Sequence, residues 1–137
     1  MVEEAKTRLP IRKQAMAIVS AVPAKAYAAE ARAIQNWVRN HIRYTRDVRN
    51  VETLTIPEKT LEHKQGDCDD QAMLVAALLE SIGHPTRFRA IACGARHFNH
   101  VLTETKIGPK WVTLETTENW PMGYCPPNVT KSMIEHN

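Results

Sequence analysis

Cys68, His100 and Glu115 are the residues of this 137-residue chain whose types and spacing could carry acyl-transfer chemistry. Cys68 stands in Gly66-Asp67-Cys68-Asp69-Asp70, where the chain turns into an apolar stretch of helical period, so its thiol falls on the first turn of that helix. Unpaired backbone N–H groups and the positive end of the helix dipole stabilise a thiolate at such a position. The carboxylates of Asp67, Asp69 and Asp70 oppose that effect unless they point away or are paired. Taken alone, the segment is equally a set of capping residues around a small buried cysteine.

His100 and Glu115 fall on two alternating segments, Asn99 to Lys106 and Lys110 to Thr116, which read as antiparallel strands. With Ile107-Gly108 as a two-residue loop, Lys106 pairs with Pro109 and His100 stands directly across from Glu115. Opposed side chains lie roughly 5 Å apart at Cβ, within reach of an imidazole-to-carboxylate bond. A three-residue loop would put Thr116 there instead. Together the three residues would be nucleophile, general base and orienting acid, as thiol acyl transfer requires. The Cys68 backbone N–H is a candidate oxyanion donor and Gln65 a second, while Trp111 and Trp120 are candidate walls of a substrate pocket.

Two metal readings compete for these residues. Cys93, His97, His100 and Cys125 offer the nitrogen and sulfur donors that zinc takes, in a C-x3-H-x2-H spacing that is not a strong zinc pattern and that draws His100 away from Glu115. Asp67, Asp69 and Asp70 with Glu62 offer oxygen donors for calcium, but carboxylates on one helical turn diverge and no twelve-residue calcium loop contains them. The expectation is a site with no metal and no cofactor.

The elements that would position these residues follow from periodicity. Ile11, Ala15, Ile18 and Val22 form one face of a first helix, which we favour over a secretory signal because Glu3 and Glu4 fall in the would-be basic segment. A second helix runs from about Ala24 to Arg43, with Ile34, Trp37, Val38 and His41 or Ile42 as its apolar stripe. Arg32, Arg39, Arg43, Arg46 and Arg49 are expected on its solvated side and just beyond. Residues 44 to 66 read as irregular, broken by Pro57. Asp67 caps the central helix, on which Ala72, Val75, Leu78, Leu79 and Ile82 recur until Gly83 and Pro85 stop it. Strands over Thr86 to Ala92, Asn99 to Lys106 and Lys110 to Thr116 follow, and the tail 126–137 is expected to be extended and peripheral. Helices first and strands afterwards predict an α+β fold, with the cysteine-bearing helix packed on a small antiparallel sheet, as one domain over 1–137.

The order and wording of these motifs resemble the transglutaminase-like superfamily of papain-related cysteine enzymes. The resemblance rests on Gly66-Asp67-Cys68-Asp69-Asp70-Gln71-Ala72, Leu78 to Arg87, Asn99-His100-Val101 and Trp111 to Thr117, with Ile34 to Val38 and Tyr44 to Asp47 upstream, and covers about residues 30–120. It implies a papain/transglutaminase-like core with Cys68 as nucleophile, His100 as base and Glu115 as acid. Glutamate is a departure, since the family's third residue is commonly aspartate. The compact form and Asp-rich nucleophile motif look most like members encoded in bacteriophages and prophages, which implies phage structural proteins as partners beside a protein or peptide substrate. Water as acyl acceptor would make the chain a peptidase or amidase, and an amine would make it a cross-linker; hydrolysis is the simpler default. The alternative is an inactive binding or phage assembly protein that keeps the fold.

Composition narrows the classes. An apolar share of 43% and a charged share of 24% fit a folded globular chain and exclude disordered, collagen-like and coiled-coil types. No apolar run approaches the roughly 20 residues of a membrane span. A net charge of +3 without exposed interleaved aromatics gives no expectation of a nucleic-acid partner. Cys68, Cys93 and Cys125 are too few and too odd in number for a disulfide framework, which points to a reducing compartment: the cytoplasm of a bacterium or phage-infected host, or association with the virion.

Overall fold

The computed structural model describes residues 2–45 and 56–136. The sequence expectations for Arg46, Asp47 and Arg49 lie outside these residues. Among the described residues five helices, α1 (Val2–Ala5), α2 (Leu9–Val19), α3 (Tyr27–His41), α4 (Pro57–His63) and α5 (Cys68–Ser81), precede the strands β3 (Thr86–Cys93), β4 (His100–Ile107), β5 (Lys110–Leu114) and β6 (Val129–His136). Two short parallel strands, β1 (Arg43–Tyr44) and β2 (Gln65–Gly66), bring the end of α3 beside the start of α5. The expected α+β class holds.

α5 is the axis of the fold. Asp67 Oδ1 accepts from the Asp70 N–H at 2.9 Å, and Asp70 Oδ2 accepts from the Asp67 N–H at 3.2 Å. This reciprocal capping box satisfies two donors that a helix start leaves open. Leu74, Val75, Leu78 and Leu79 are buried in the α5 core, which continues through Ile11 and Ala15 of α2 and Ala31, Ile34 and Val38 of α3 to Leu114 of β5. Gly83, at φ +93°, ends the element with a conformation that side-chain-bearing residues rarely adopt. Helices α1 to α4 pack on one side of α5, and the antiparallel sheet, in the order β5-β4-β3-β6, covers the other.

Three expectations are corrected and one is refined. The region 44–66 is not irregular throughout: Pro57, at the first position of α4, is pre-set for a helix start, and Leu61 enters the core. The tail 126–137 is extended, as expected, but Val129–His136 pairs with β3 as the edge strand β6 of the sheet. Its charged and mostly exposed side chains hide the alternation that marks inner strands. Arg39 does not face solvent as part of a basic stripe; its guanidinium turns inward to the loop after β5. The β4–β5 turn is neither of the two loops expected. Ile107 pairs with Lys110 and Lys106 with Trp111, so Gly108-Pro109 is the loop. Gly108 has a φ of +60°, suited to the first loop position of a II′ turn, and the ladder avoids Pro109, which has no N–H to donate.

Candidate active site

The register of β4 and β5 settles how His100 meets Glu115. Thr103 lies opposite Leu114, the last residue of β5. Continued at that register, Glu115 falls across from Leu102 rather than His100. A displacement of two residues keeps side-chain parity, so Glu115 remains on the same side of the ladder as a diagonal neighbour of His100. Diagonal positions are roughly 7–8 Å apart, a span that a long side chain crosses. His100 Nε2 is hydrogen-bonded to Glu115 Oε2.

The carboxylate of Glu115 is almost completely buried, at 3% exposure. Its second oxygen, Oε1, accepts from the main-chain N–H groups of Thr116 and Thr117, both at 2.8 Å, and from the Thr117 hydroxyl at 2.9 Å. Burial works against the charged form, but the bonds to His100 and Thr117 prevail and hold the Glu115 pKa below its usual value. For His100, burial again opposes charge; hydrogen bonds to Cys68 and Glu115 and their negative charges outweigh it, raising the imidazole from 6.5 to about 10. Nε2 is taken by Glu115, which leaves Nδ1 as the ring nitrogen for Cys68.

Backbone connections supply the frame. Asn99 fixes the approach to His100: its Oδ1 accepts from the Cys93 N–H at 2.9 Å and its Nδ2 donates to the Cys93 carbonyl at 3.2 Å. Gln71 on α5 donates to the Gly66 carbonyl at 3.3 Å and accepts from the Thr116 hydroxyl at 2.7 Å, tying the helix start to the acid's loop. From α3, Gln35 donates to the carbonyls of Glu115 and Trp120, and Arg39 reaches the same two oxygens. None of these supports had been assigned a role from sequence. Polar residues on the core face of a predicted helix, such as Gln35 beside Ile34 and Val38, are the one signal that could have marked them.

A cleft of about 330 Å³ opens at this point, lined by Tyr44, Cys68, Cys93, Asn99, His100, Thr117, Glu118 and Trp120. Trp120, a candidate wall residue, lines this cleft with its ring edge-on to His100 at 5.8 Å between centroids. Trp111 does not: paired with Lys106 near the β4–β5 turn, it sits at the other end of β4 from His100, 4.3 Å from the Arg87 guanidinium. Gln65 is exposed on β2 and outside the cleft lining, so the arrangement offers the Cys68 N–H, and not Gln65, as a donor beside the sulfur. Among the described residues no three His, Cys, Asp or Glu side chains converge as metal ligands do. The zinc grouping of Cys93, His97, His100 and Cys125 is therefore not assembled, nor is the calcium grouping of Asp67, Asp69, Asp70 and Glu62. Among the described residues no helix is long and apolar enough to cross a membrane.

Known proteins place this geometry in context. Residues 13–116 match the Transglutaminase-like superfamily. No curated protein matches the chain in sequence. Among solved structures, calcium-bound LapG from Legionella pneumophila is 14% identical over 98% of this chain and 87% of its own, with a TM-score of 0.71. A candidate cysteine protease from Cytophaga hutchinsonii is 19% identical over 99% of this chain and 51% of its own, with a TM-score of 0.67. A candidate protease from Parabacteroides distasonis is 12% identical over 85% of this chain and 25% of its own, with a TM-score of 0.64. The chain thus spans about half of the Cytophaga protein and a quarter of the Parabacteroides one. At these identities the likeness establishes the fold. With a family match that runs from α2 to the end of the β5 segment and takes in Cys68, His100 and Glu115, the chain belongs to the transglutaminase-like superfamily.

Proposed function

We propose that the chain is a cysteine peptidase or amidase that opens an amide bond of a protein or peptide through an acyl-enzyme on Cys68. One observation carries the reading: a single cleft holds Cys68 and His100, with Glu115 bonded behind the imidazole. The sulfur of Cys68 adds to the substrate carbonyl carbon, and the carbonyl electron pair moves to oxygen, where the Cys68 N–H at the start of α5 is the candidate donor. Collapse of this intermediate expels the amine, which takes its proton from His100. The imidazole then accepts a proton from water as the water oxygen attacks the thioester carbon. A second collapse releases the carboxylic acid and restores the thiolate, with the proton left on His100. Glu115 holds the ring in orientation and offsets its charge throughout.

Water as acceptor needs one substrate pocket, which the 330 Å³ cleft supplies; the likeness to candidate proteases supports the same choice. The test is the alkylation rate of each cysteine by iodoacetamide between pH 5 and 10, read by peptide mass mapping in the wild type and His100→Ala. Cys68 is expected to outpace Cys93 and Cys125 at pH 7 and to lose that lead in the variant. Three equal rates in the wild type would overturn the enzyme reading in favour of a binding module with this fold.

A further inference from the structure

Glu118 belongs to the cleft but not to the triad, whose carboxylate is Glu115. It is exposed, and among the described residues it enters no ion pair or side-chain hydrogen bond. The rest of the lining, Tyr44, Cys93, Asn99, Thr117 and Trp120 beside the catalytic pair, contains no lysine or arginine among the described residues. This is the reverse of the whole chain, where 18 Lys and Arg outnumber 15 Asp and Glu. Among the described residues of the lining, Glu118 is therefore the one Asp, Glu, Lys or Arg, an anion in a basic protein.

We infer that this side of the cleft is a subsite for a positively charged substrate side chain, a lysine or arginine flanking the scissile amide, with Glu118 as the residue that selects it. The inference rests on the enzyme reading above and names its substrate class. A long basic side chain fits both parts of the wall: its methylene stem packs along the rings of Trp120 and Tyr44, and its charged head reaches the carboxylate. An acidic substrate side chain there would meet like charge. The Cys93 thiol feels the same field. Its pKa is raised, first by burial and then by the negative charges of Cys125, Glu115 and Glu118.

Reagents of opposite charge test the subsite without any substrate. Cys68 of the wild type, Glu118→Gln and Glu118→Lys is treated with the trimethylammonium-ethyl and sulfonatoethyl methanethiosulfonates. Each rate is divided by that of the uncharged methyl reagent on the same variant, and modification is assigned by peptide mapping so that Cys93 is scored separately. The cation-to-anion ratio is expected to fall about three- to tenfold in Glu118→Gln, the scale of one exposed charge pair, and further in Glu118→Lys. A ratio unchanged in both variants overturns the subsite. The outcome is separable from the enzyme reading, because Cys68 reports the ratio whether or not it outpaces the other cysteines.

Discussion

Gln35 Nε2 donates to the main-chain oxygen of Glu115 at 3.0 Å, so a helix 80 positions earlier in the chain holds the acid of the candidate triad by its backbone. Arg39 Nη2 reaches the same oxygen at 2.6 Å, and both side chains also contact the carbonyl of Trp120. The loop between them is thus clamped at both ends from α3. Gln35→Leu keeps the volume and removes the donor, leaving Arg39 as the remaining partner. A loss of about 0.5–1.5 kcal/mol in urea unfolding is expected, the net worth of a hydrogen bond whose acceptors keep a second donor. A merely structural role would stop there. If the clamp positions Glu115, the imidazole of His100 will also titrate at a lower pH in NMR spectra of the variant than in those of the wild type. An unchanged titration would limit Gln35 to packing.

The diagonal relation of His100 and Glu115 gives the glutamate a reason. Aspartate at this position would be one methylene shorter, and the oxygens of Glu115 are already divided between His100 on one side and Thr116 and Thr117 on the other. Glu115→Asp is therefore not a return to the commoner family residue but a retreat from the ring. Displacements of about 1 Å in such constellations can cost on the order of 100-fold. The prediction is a 10- to 100-fold slower Cys68 alkylation at pH 7 in Glu115→Asp, with folding retained. Equal rates would mean that backbone movement restores the contact and that ladder register does not fix the residue type.

These relations explain what could be read from the chain and what could not. Asp67, Cys68 and the Ala72 to Leu79 stripe are local signals, and α5 forms where they place it. The pairing of His100 with Glu115 was legible in type and parity but not in register, because Gly108 and Pro109 choose the turn through φ and a missing N–H. The strand β6 was missed because an edge strand carrying Lys131 and Glu135 lacks a clean apolar alternation. Gln35, Arg39 and Gln71 act on carbonyls or side chains remote in sequence, and neither the side chain nor its spacing names such a partner. The open face of the sheet, where Glu104 bonds Arg87 and Arg89 at 2.7 Å each, was equally silent.

Proton linkage should expose the His100–Glu115 pair in stability measurements. The folded pKa of His100 lies above its unfolded value, so its contribution is complete below about 6.5 and disappears as pH rises towards about 10. Glu115 has a depressed folded pKa, so its contribution is present above about 4.5 and is lost as pH falls further. Both contributions are therefore intact between those two values. In urea denaturation series from pH 4 to 10, the stability advantage of the wild type over His100→Gln should be greatest near pH 5–6. It should shrink on the alkaline side by no more than about 1.4 kcal/mol per pH unit, the limit for one proton. A difference that stays constant across the range would contradict the coupling.

Gly66 tests whether the turn into α5 has room to spare. A Cβ added there would lie 2.7 Å from Asp70 Cβ, 3.2 Å from Asp70 Oδ2 and 3.3 Å from Thr60 Cγ2. Asp70 cannot yield freely, since its carboxylate and N–H both belong to the capping box around Cys68. Thr60 is fully buried in α4, so the other side is closed as well. Gly66→Ala must therefore shift the first turn of α5 or break the box, at about 1–3 kcal/mol for overpacking. The shift would fall on the candidate nucleophile, because Cys68 stands between Asp67 and Asp70. We expect Gly66→Ala to lower the unfolding free energy by that amount and to slow Cys68 alkylation at pH 7 more than it slows Cys93. Asp70→Gly supplies the control: combined with Gly66→Ala it removes the Cβ and carboxylate that the new methyl would meet, so the pair should cost less stability than the two single changes added together. Additive costs would show that the glycine is required by something other than the crowding against Asp70.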